Sequence, residues 1–371
     1  MTTTTKVILF RSNNIFASRV NKYVNYYKRQ GIDFTAVGWD RGGEGKNVEH
    51  YEFCHYKAGR NKGGIKAMTN HSKWMWFVLK YLRKHNDVTT IHACDLNVAF
   101  PAAIYKRFFN RDVVLIFDAC DWFSDNFSRY KTLCKILRRM EKFACKQADH
   151  IIICEPERRA QITFPIDKEP VVLPNIPEIS DDWQFEKCEK YAFNNDWITI
   201  GYFGGFSMNR FLPELLELTK TEKFNLLIAG YGNKIIEDKC EEVKDRENVK
   251  YFGRLSMKEG LEMEANADII STIYCKTTPN HIFAAPNKFY EALYLGKAIL
   301  TNCGIIVADK VKKHNLGYSI EETPEEFKKL IHSLQRIEIE KCGMNSKLLW
   351  DSTYKDYVMR FFDNIYSKFI Q

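Results

Sequence analysis

Short apolar runs alternate with helix-length amphipathic segments along this chain, and this alternation constrains the fold more than any other sequence feature. The apolar run at residues 6–10 is followed by large side chains at three-to-four spacing from Val20 to Tyr27, by Gly31, and by a second apolar run at 34–38. This order predicts strand, helix and strand. Further apolar runs lie at 88–91, 113–117 and 150–154, with helical segments at about 65–85 and 130–147. We expect a parallel sheet covered by helices.

A second series of the same kind follows a proline-containing, acidic stretch at residues 165–197 that is typical of a linker. Its predicted strands lie at 198–202, 226–229, 249–252, 269–273 and 298–301, and most of them end in glycine. The carboxyl ends of such strands are where open α/β sheets bind ligands. The last amphipathic segment, 354–369, is predicted to be a closing helix. A length of 371 residues fits two domains of this type.

Several protein classes do not fit this composition. No segment approaches the roughly 18–20 uncharged apolar residues of a membrane-spanning helix, and the first residues lack the pattern of a secretory signal. The eleven cysteines are scattered without a Cys-x-x-Cys pair, which favours reduced thiols. We therefore expect a cytoplasmic protein.

Charge is distributed unevenly between the two halves. Residues 1–170 contain 29 Lys and Arg against 17 Asp and Glu, whereas residues 171–371 contain 26 against 30. The basic first half indicates an anionic partner, which charge alone leaves open between nucleic acid and a membrane surface.

Gly204-Gly205 follows a predicted strand and precedes Arg210 and a helical segment at 212–218. Glycines let a phosphate approach the backbone, a helix N-terminus offers N–H donors, and Arg210 adds a positive charge suited to a diphosphate. A simple strand-to-helix turn with a solvated arginine is an equally good interpretation. The Gly230-Tyr231-Gly232 segment is a weaker signal of the same kind.

The segment at residues 285–298 is the most specific string in the chain. Pro286 can start a helix, Gly296 can end it, and Lys288 and Glu291 lie one helical turn apart. The Glu291 carboxylate could accept hydrogen bonds from both hydroxyls of a ribose. The alternative is a surface ion pair on a short helix.

This segment resembles the Pro-Asn-Lys-x-x-Glu signature of the retaining, family 4 nucleotide-sugar-dependent glycosyltransferases, which have the GT-B fold. Other strings agree with that family along almost the whole chain. They are Arg19-Val20 with Gly31, Gly38-Trp39-Asp40-Arg41, His92-Ala93-Cys94-Asp95, Glu141 before Ala148-Asp149, Leu173-Pro174-Asn175, Gly204-Gly205 with Arg210, Gly230-Tyr231-Gly232, Phe252-Gly253-Arg254-Leu255, Ala267-Asp268 and Gly317.

The resemblance implies an α/β protein with two Rossmann-like domains facing across a cleft and a C-terminal helix crossing back to the first domain. It predicts an acceptor domain over residues 1–175 with the closing helix 352–371, a linker over 176–196, and a nucleotide-sugar domain over 197–351. It implies that Glu291 binds the ribose and that Arg210 and Lys288 bind the diphosphate. It also implies that Gly204 and Gly205 permit close approach, that Asn287 belongs to the nucleotide site, and that Arg254 and Leu255 flank the base.

Two positions depart from the family pattern. A second glutamate often stands eight residues before the ribose-binding one, where this chain has Phe283. A histidine often follows the strand at 113–117, where this chain has Cys120. Asp118 or Asp121 could orient hydroxyl groups or cap a loop, and His92, Asp95 and Cys120 are candidates for the acceptor side. For His92, packing inside the domain is an alternative.

Retaining transfer of this kind implies no metal and no other cofactor. The chain has no Asp-x-Asp triplet for a metal clamp. Arg210 and Lys288 are expected to oppose the charge that grows on the leaving diphosphate, which accepts the acceptor's proton. Metal binding by His92, Cys94 and Cys120 is a minor alternative that no ligand spacing supports.

Two basic stretches in the first half suggest contact with an anionic lipid surface. Basic residues recur along one face at 131–146, and Leu133, Ile136, Leu137, Met140 and Phe143 are assigned to the other face. Basic residues also surround Trp74 and Trp76, namely Lys62, Lys66, Lys73, Lys80, Arg83 and Lys84. A solvated basic face is the alternative, and nucleic-acid binding is disfavoured because no recognition module is present.

The sequence therefore predicts a cytoplasmic glycosyltransferase, peripheral on the inner face of the membrane. It would move a sugar from a UDP- or GDP-sugar to a glycan acceptor, in polyprenyl-diphosphate-linked form, during surface polysaccharide biosynthesis. A noncatalytic nucleotide-sugar-binding scaffold and a GT-B-fold nucleotide-sugar epimerase are the alternatives.

Overall fold

The computed structural model describes residues 5–13, 15–41, 49–54, 65–180 and 182–370, with the side chains of 65–68 excepted. Within these ranges the chain forms two compact units, one of residues 1–174 with 358–371 and one of residues 175–357. Each unit is built on its own parallel sheet. None of the helices within the described ranges combines the length and the apolar character needed to span a bilayer.

The first unit contains a seven-stranded sheet in the order β3-β2-β1-β4-β5-β6-β7, with every pair parallel. Its strands are β1 Lys6–Arg11, β2 Asp33–Trp39, β3 Tyr51–Cys54, β4 Thr90–Cys94, β5 Val114–Ala119, β6 His150–Ile153 and β7 Val171–Val172. Its helices are α1 Ser18–Gln30, α2 Ile65–Lys84, α3 Leu96–Phe108 and α4 Lys131–Gln147, with 3-10 turns at Phe123–Phe127 and Pro156–Gln161. Helices α2, α3 and α4 contribute to one apolar core with side chains from alternate positions of β1, β4 and β5.

The second unit contains a six-stranded parallel sheet in the order β10-β9-β8-β11-β12-β13. Its strands are β8 Thr199–Phe206, β9 Asn225–Gly232, β10 Val249–Tyr251, β11 Ile269–Ser271, β12 Ala298–Asn302 and β13 Gly317–Ile320. Its helices are α5 Leu212–Leu218, α6 Lys234–Val243, α7 Met257–Ala265, α8 Pro279–Ile282, α9 Asn287–Leu295, α10 Ile306–His314, α11 Pro324–Ser333 and α12 Arg336–Leu349. 3-10 turns lie at Glu189–Tyr191 and Met208–Arg210.

The C-terminal segment is not the single helix predicted for residues 354–369. A π turn, Trp350–Tyr354, precedes α13 Tyr357–Asn364, and a 3-10 turn, Tyr366–Phe369, follows it. Phe362 stacks on Tyr26 of α1 with ring centroids 4.8 Å apart. The end of the chain thus packs on the first unit, which confirms the predicted return to that domain.

Strand order reverses once in each sheet, between β1 and β4 in the first and between β8 and β11 in the second. Such reversal points leave a crevice outside the carboxyl ends of the two strands, and ligands of open α/β sheets bind there. The fold confirms the predicted pair of Rossmann-like domains and directs attention to these two edges.

Candidate functional site

Gly204 and Gly205 lie at the carboxyl end of β8, where they pair with Gly230 and Tyr231 of β9. The sequence predicted that the strand ends before these glycines, but β8 continues to Phe206 because the backbones of the two strands come close enough to stay paired. A Cβ on Gly230 would lie 1.9 Å from the carbonyl oxygen of Gly204. Gly204 and Gly205 are exposed, and a Cβ on Gly205 would meet no atom within 4 Å. This edge therefore presents open backbone that a phosphate can approach.

Arg210 lies in the 3-10 turn that follows β8, next to the reversal point of the second sheet. Its guanidinium stands 3.4 Å from the ring centroid of Tyr274, which lies in the loop after β11. The N–H of Cys275 donates to the carbonyl of Asn209 at 3.1 Å and joins the same two loops. Arg210 is thus a partly buried cation held at the carboxyl edge of β8 and β11.

Helix α9 begins and ends where the sequence predicted. Pro286 is its N-cap, the exposed Asn287 is its first residue, and Gly296 ends it with a φ of 64°. The side-chain amide of Asn175 donates to the carbonyl of Ala285 at 2.9 Å and anchors the start of the helix. Glu291 is only 5% exposed, so it does not belong to the surface ion pair that was the alternative interpretation.

Lys288 of α9 lies between two carboxyl groups, those of Glu291 and of Glu264 on α7. Its Nζ is 2.5 Å from Oε1 of Glu264 and also forms an ion pair with Glu291. Burial works against the charged ammonium, but the two carboxyl groups raise the pKa of Lys288 above its usual value. The ammonium stands 5.9 Å from the ring centroid of Phe203, the residue before Gly204. The cluster is therefore adjacent to the open glycines of β8.

Glu264 is the member of this cluster that the sequence analysis missed. Its side chain is fully buried, and burial, together with repulsion from Glu291, raises its pKa well above the usual range. The available signal was its position three residues after Leu261 on the buried face of α7, where an acidic residue needs a specific partner. The partner belongs to a helix that sequence spacing does not connect to α7.

The predicted base-flanking residues follow β10. Arg254 is exposed, Leu255 is half-buried, and the Arg254 guanidinium lies 4.6 Å from the ring centroid of Tyr231. The N–H of Gly230 donates to the carbonyl of Gly253 at 2.7 Å, which holds the two loops together. The half-exposed ring of Tyr231 and the Arg254 side chain thus form one surface at the edge of β9 and β10.

Phe283 caps the short helix α8 and is half-buried. Its N–H donates to the carbonyl of Asn280 at 3.2 Å. The aromatic side chain supplies no group that can accept a sugar hydroxyl.

In the first unit, Asp118 and His92 lie inside the domain. Arg19 of α1 donates from Nε to Asp118 Oδ2 at 2.8 Å and from Nη2 to Oδ1 at 2.5 Å, and the Tyr23 hydroxyl donates to Oδ2 at 3.0 Å. His92 Nδ1 bonds with the Tyr366 hydroxyl at 2.7 Å.

The extent of β4 and this network define where the two side chains lie. His92 was placed at a strand end, but β4 extends over residues 90–94 and buries its ring completely. Asp118 is also completely buried, and attraction from Arg19, which outweighs burial, lowers the pKa of its carboxyl. Both side chains are thus inaccessible within the first unit, and for His92 this fits the alternative of packing inside the domain.

Cys94 lies beside these residues on β4, and single atoms of His92, Cys94 and Asp118 come within 4.8 Å of one another. The Arg19 guanidinium already neutralises Asp118, so a metal cation there would meet a fixed positive charge. Cys120 lies within hydrogen-bonding reach of Cys94 and is partly exposed. Cys120 belongs to the first unit, whereas Gly204 and Gly205 belong to the second.

Asp95 and Asp121 differ in their surroundings. Asp121 is exposed and its Oδ1 accepts a hydrogen bond from Arg158 at 3.1 Å. Asp95 follows β4 with a φ of 69°, its Oδ1 is buried without a hydrogen-bond partner, and burial raises its pKa to about 7. A strained, unpartnered carboxyl at a sheet's reversal point is typical of a functional position.

No protein-family model matches the sequence, and no curated protein matches it at a significant level. Solved structures do match. Sucrose-phosphate synthase from Thermosynechococcus elongatus has a TM-score of 0.73 at 12% identity over 98% of both chains. WaaG, a glycosyltransferase involved in lipopolysaccharide biosynthesis, has a TM-score of 0.64 at 14% identity, covering 97% of this chain and 99% of that one.

An enzyme of another class shares the architecture. A UDP-N-acetylglucosamine 2-epimerase has a TM-score of 0.61 at 10% identity, covering 98% of this chain and 96% of that one. The structural neighbours confirm the resemblance to GT-B glycosyltransferases at the level of the fold. The protein has the GT-B fold.

Proposed function

We propose that this protein is a glycosyltransferase that takes a sugar from a UDP- or GDP-sugar and transfers it to a glycan acceptor with retention of anomeric configuration and without a metal. The proposal rests mainly on the groups that surround the carboxyl end of β8. Open glycine backbone, the Arg210 cation and the Lys288 cluster lie around the reversal point of one sheet. That combination suits a nucleoside diphosphate.

In this proposal the Glu291 carboxylate accepts hydrogen bonds from the two ribose hydroxyls, while Lys288 turns a remaining N–H toward the diphosphate. Arg210 offers a planar guanidinium to the same group. Both cations oppose the negative charge that develops as the bond between sugar and phosphate breaks. Asn287 stands at the start of α9, and Arg254 with Leu255 contacts the base.

We also propose that the acceptor is lipid-linked and that the first unit docks on an anionic membrane from the cytoplasmic side. Helices α2, α3 and α4 cover the same face of the first sheet. The one acidic side chain within these three helices, Glu141, is only 1% exposed. The basic residues of these helices whose side chains are described are Lys73, Lys80, Arg83, Lys84, Lys106, Arg107, Lys131, Lys135, Arg138, Arg139, Lys142 and Lys146, of which Lys106 forms an ion pair with Asp149 and Arg138 with Asp125.

Exposed aromatic and aliphatic side chains accompany these charges. Trp76 is 56% exposed with Lys80 over its ring, and Phe109 is half-exposed with Arg83 over its ring. Ile136 was assigned to the core-facing side of its helix but is 48% exposed, because α4 turns the apolar stripe of Leu137 and Cys145 inward instead. Lys62 and the side chain of Lys66 lie outside the described residues. Basic and apolar groups on one surface favour an anionic bilayer.

The membrane proposal is tested by co-sedimentation with phosphatidylglycerol vesicles. Substituting Lys135 and Lys142 together by Glu should reduce binding strongly, and substituting Lys28 and Arg29 of α1 by Glu is the matched control. If the wild type, the Lys135 and Lys142 variant and the Lys28 and Arg29 variant bind the vesicles equally, the membrane proposal is wrong.

The donor is tested first, by thermal shift and hydrolysis against a panel of UDP- and GDP-sugars, since a bound ligand raises the unfolding temperature. A selective shift with slow release of nucleoside diphosphate supports a transferase. The absence of any shift contradicts the donor site.

Gly205→Ala tests the proposed donor site most directly. The added methyl meets only open space, so the fold should persist, but it occupies the room that a diphosphate needs. We expect at least a tenfold loss of nucleotide affinity. Gly260→Ala on α7, whose added methyl also meets no atom within 4 Å, is the control and should bind normally.

The epimerase neighbours favour one alternative, and proton NMR of the sugar separates it from transfer. An epimerase changes the donor's ring configuration when no acceptor is present, whereas a transferase does not. Nucleotide-sugar binding with no turnover even after lipid-linked acceptors are added would instead favour the noncatalytic scaffold.

A further inference from the structure

The reversal point of the first sheet holds a guanidinium, that of Arg11, whose hydrogen-bonding capacity is only partly used, although the Asp95 and Asp118 carboxyls attract it from a distance. Arg11 is the last residue of β1 and pairs with Cys94 of β4, so it stands where the strand order reverses. Its Nε and Nη1 are buried and form no hydrogen bond. Among the residues that the structure describes, no carboxylate forms an ion pair with it. Buried guanidinium nitrogens normally have acceptors, because leaving them unpaired costs free energy.

A second arginine lies at the same edge, after β2. Arg41 Nη2 donates to the carbonyl of Ser12, the residue after Arg11, at 3.1 Å, and its guanidinium lies 4.6 Å from the ring centroid of Trp39. Its Nε is buried without a hydrogen-bond partner. Burial lowers the pKa of Arg41 because no carboxyl group within the described ranges offsets the desolvation. Ser12 therefore lies between two incompletely satisfied cations.

Side chains with oxygen atoms that can accept hydrogen bonds complete this edge. Asn97 of α3 is 5% exposed and donates from Nδ2 to the Ser12 hydroxyl at 2.6 Å, while its Oδ1 has no hydrogen-bond partner. Asp95 precedes α3 at the same reversal point, with its own Oδ1 unpartnered. These oxygens can accept hydrogen bonds from hydroxyl groups, and the arginines can donate to an anion.

Phosphate is the anion that this edge suits. Guanidinium groups match phosphate oxygens with paired N–H donors, and a half-buried position strengthens the bond by excluding water. One arginine neutralises the single negative charge of a carboxylate, whereas the negative charge of a diphosphate can be shared by two arginines.

We propose that Arg11 and Arg41 bind a phosphate or diphosphate group of the acceptor substrate. The assignment rests on the proposed function, since it takes the first unit as the acceptor domain. Asn97 and Asp95 then contact hydroxyls next to that group. The acceptor class that follows is a glycan or sugar carried on a phosphate or diphosphate.

The test is isothermal titration of the full chain with two probes, inorganic pyrophosphate and UDP. Pyrophosphate is titrated with and without saturating UDP, so that binding at the donor edge of β8 is blocked in one arm. The variants are Arg11→Gln, Arg41→Gln, their combination, and Arg29→Gln as an exposed control at the far end of α1. Thermal melts verify that each variant is folded.

We expect the double variant to lose at least tenfold in pyrophosphate affinity in the presence of UDP, while its UDP affinity and the control are unchanged. Arg11→Lys should recover part of the affinity, since it keeps the charge but not the paired donors. Unchanged pyrophosphate affinity in the double variant overturns the site. Loss of UDP affinity in the same variant overturns the acceptor assignment, because the arginines then serve the donor.

Failure of the proposed function has a different signature. The wild-type protein would then bind no UDP or other nucleotide, while the double arginine variant would still bind pyrophosphate more weakly than the wild type. In that case the phosphate site stands and the donor proposal fails.

Discussion

At the scale of single residues, the chain places charged groups inside both units and neutralises them in different ways. Asp118 is matched by Arg19, a pair that the sequence separates by 99 positions. Lys288 is shared by two carboxyl groups, one of which, Glu264, is fully buried. Such clusters depend on every member, because removing one leaves an uncompensated buried charge.

Lys288→Met should therefore destabilise the protein by about 3 kcal/mol or more near pH 8. Without the ammonium the pKa of Glu264 rises further, and an acid whose pKa is raised in the folded state makes the protein less stable as pH rises. The loss should shrink toward pH 5, where the Glu264 carboxyl is protonated. Urea denaturation at several pH values measures this, and Lys288→Met combined with Glu264→Gln should recover part of the stability. A pH-independent loss would contradict the cluster.

Glu141 gives a second test at this scale. One carboxylate oxygen accepts from the N–H of Ser124 at 2.9 Å, the other has no hydrogen-bond partner, and burial raises the pKa to about 7 from the ordinary 4.5. The folded state thus loses stability as pH rises from about 4.5 to 7. Glu141→Gln removes this dependence and should be more stable above pH 7, by at most about 3 kcal/mol. Denaturation curves from pH 5 to 8 measure it, with the exposed Glu157→Gln as control.

At the scale of elements, β8 and β9 are paired through glycine so that their carboxyl ends stay close. Gly230 has a φ of 152°, and a side chain there would collide with the carbonyl of Gly204. The same constraint recurs in β13, where a Cβ on Gly317 would lie 2.0 Å from the carbonyl oxygen of Ile299. At Gly230 this close backbone approach shapes the edge where we propose that the donor binds, whereas Gly317 lies at the amino end of its strand.

Gly230→Ala is expected to destabilise the second unit by about 3 kcal/mol or more, because both the backbone conformation and the strand pairing resist a methyl group. Thermal melting measures the change. Gly205→Ala, one position from the contacted carbonyl, should melt close to the wild type. Equal melting temperatures for both variants would mean that the strands can separate without cost.

At the scale of the whole molecule, the chain's last residues complete the first unit. The Tyr366 hydroxyl bonds with both His92 and Tyr27, and all three side chains are buried. Residues near opposite ends of the sequence therefore share one polar network beneath α1.

Tyr366→Phe should cost about 1–3 kcal/mol, since the substitution preserves the ring packing but leaves two buried polar groups without a partner. Tyr130→Phe, at a 67% exposed position, is the control. Chemical denaturation measures the free energy of unfolding of both variants. A Tyr366→Phe variant as stable as the wild type would show that the network contributes no net stability.

Local features of the sequence determined most strands of the two sheets, the helices α1, α2 and α4, and the bounds of α5 and α9. They did so because periodicity, helix-starting proline and helix-ending glycine act within a few residues. The short strands β3, β7 and β13 were not predicted, although the equally short β6, β10 and β11 were, because β6, β10 and β11 lie within apolar runs.

Tertiary structure alone decided which charged groups meet. No spacing in the sequence links Glu264 to Lys288 or Arg19 to Asp118, and nothing in it indicates that Arg11 and Arg41 keep unpaired nitrogens at a sheet edge. These contacts depend on the order in which strands assemble, which brings distant residues together and leaves others without a partner. The sequence thus determined the scaffold, and packing determined which side chains remain available for chemistry.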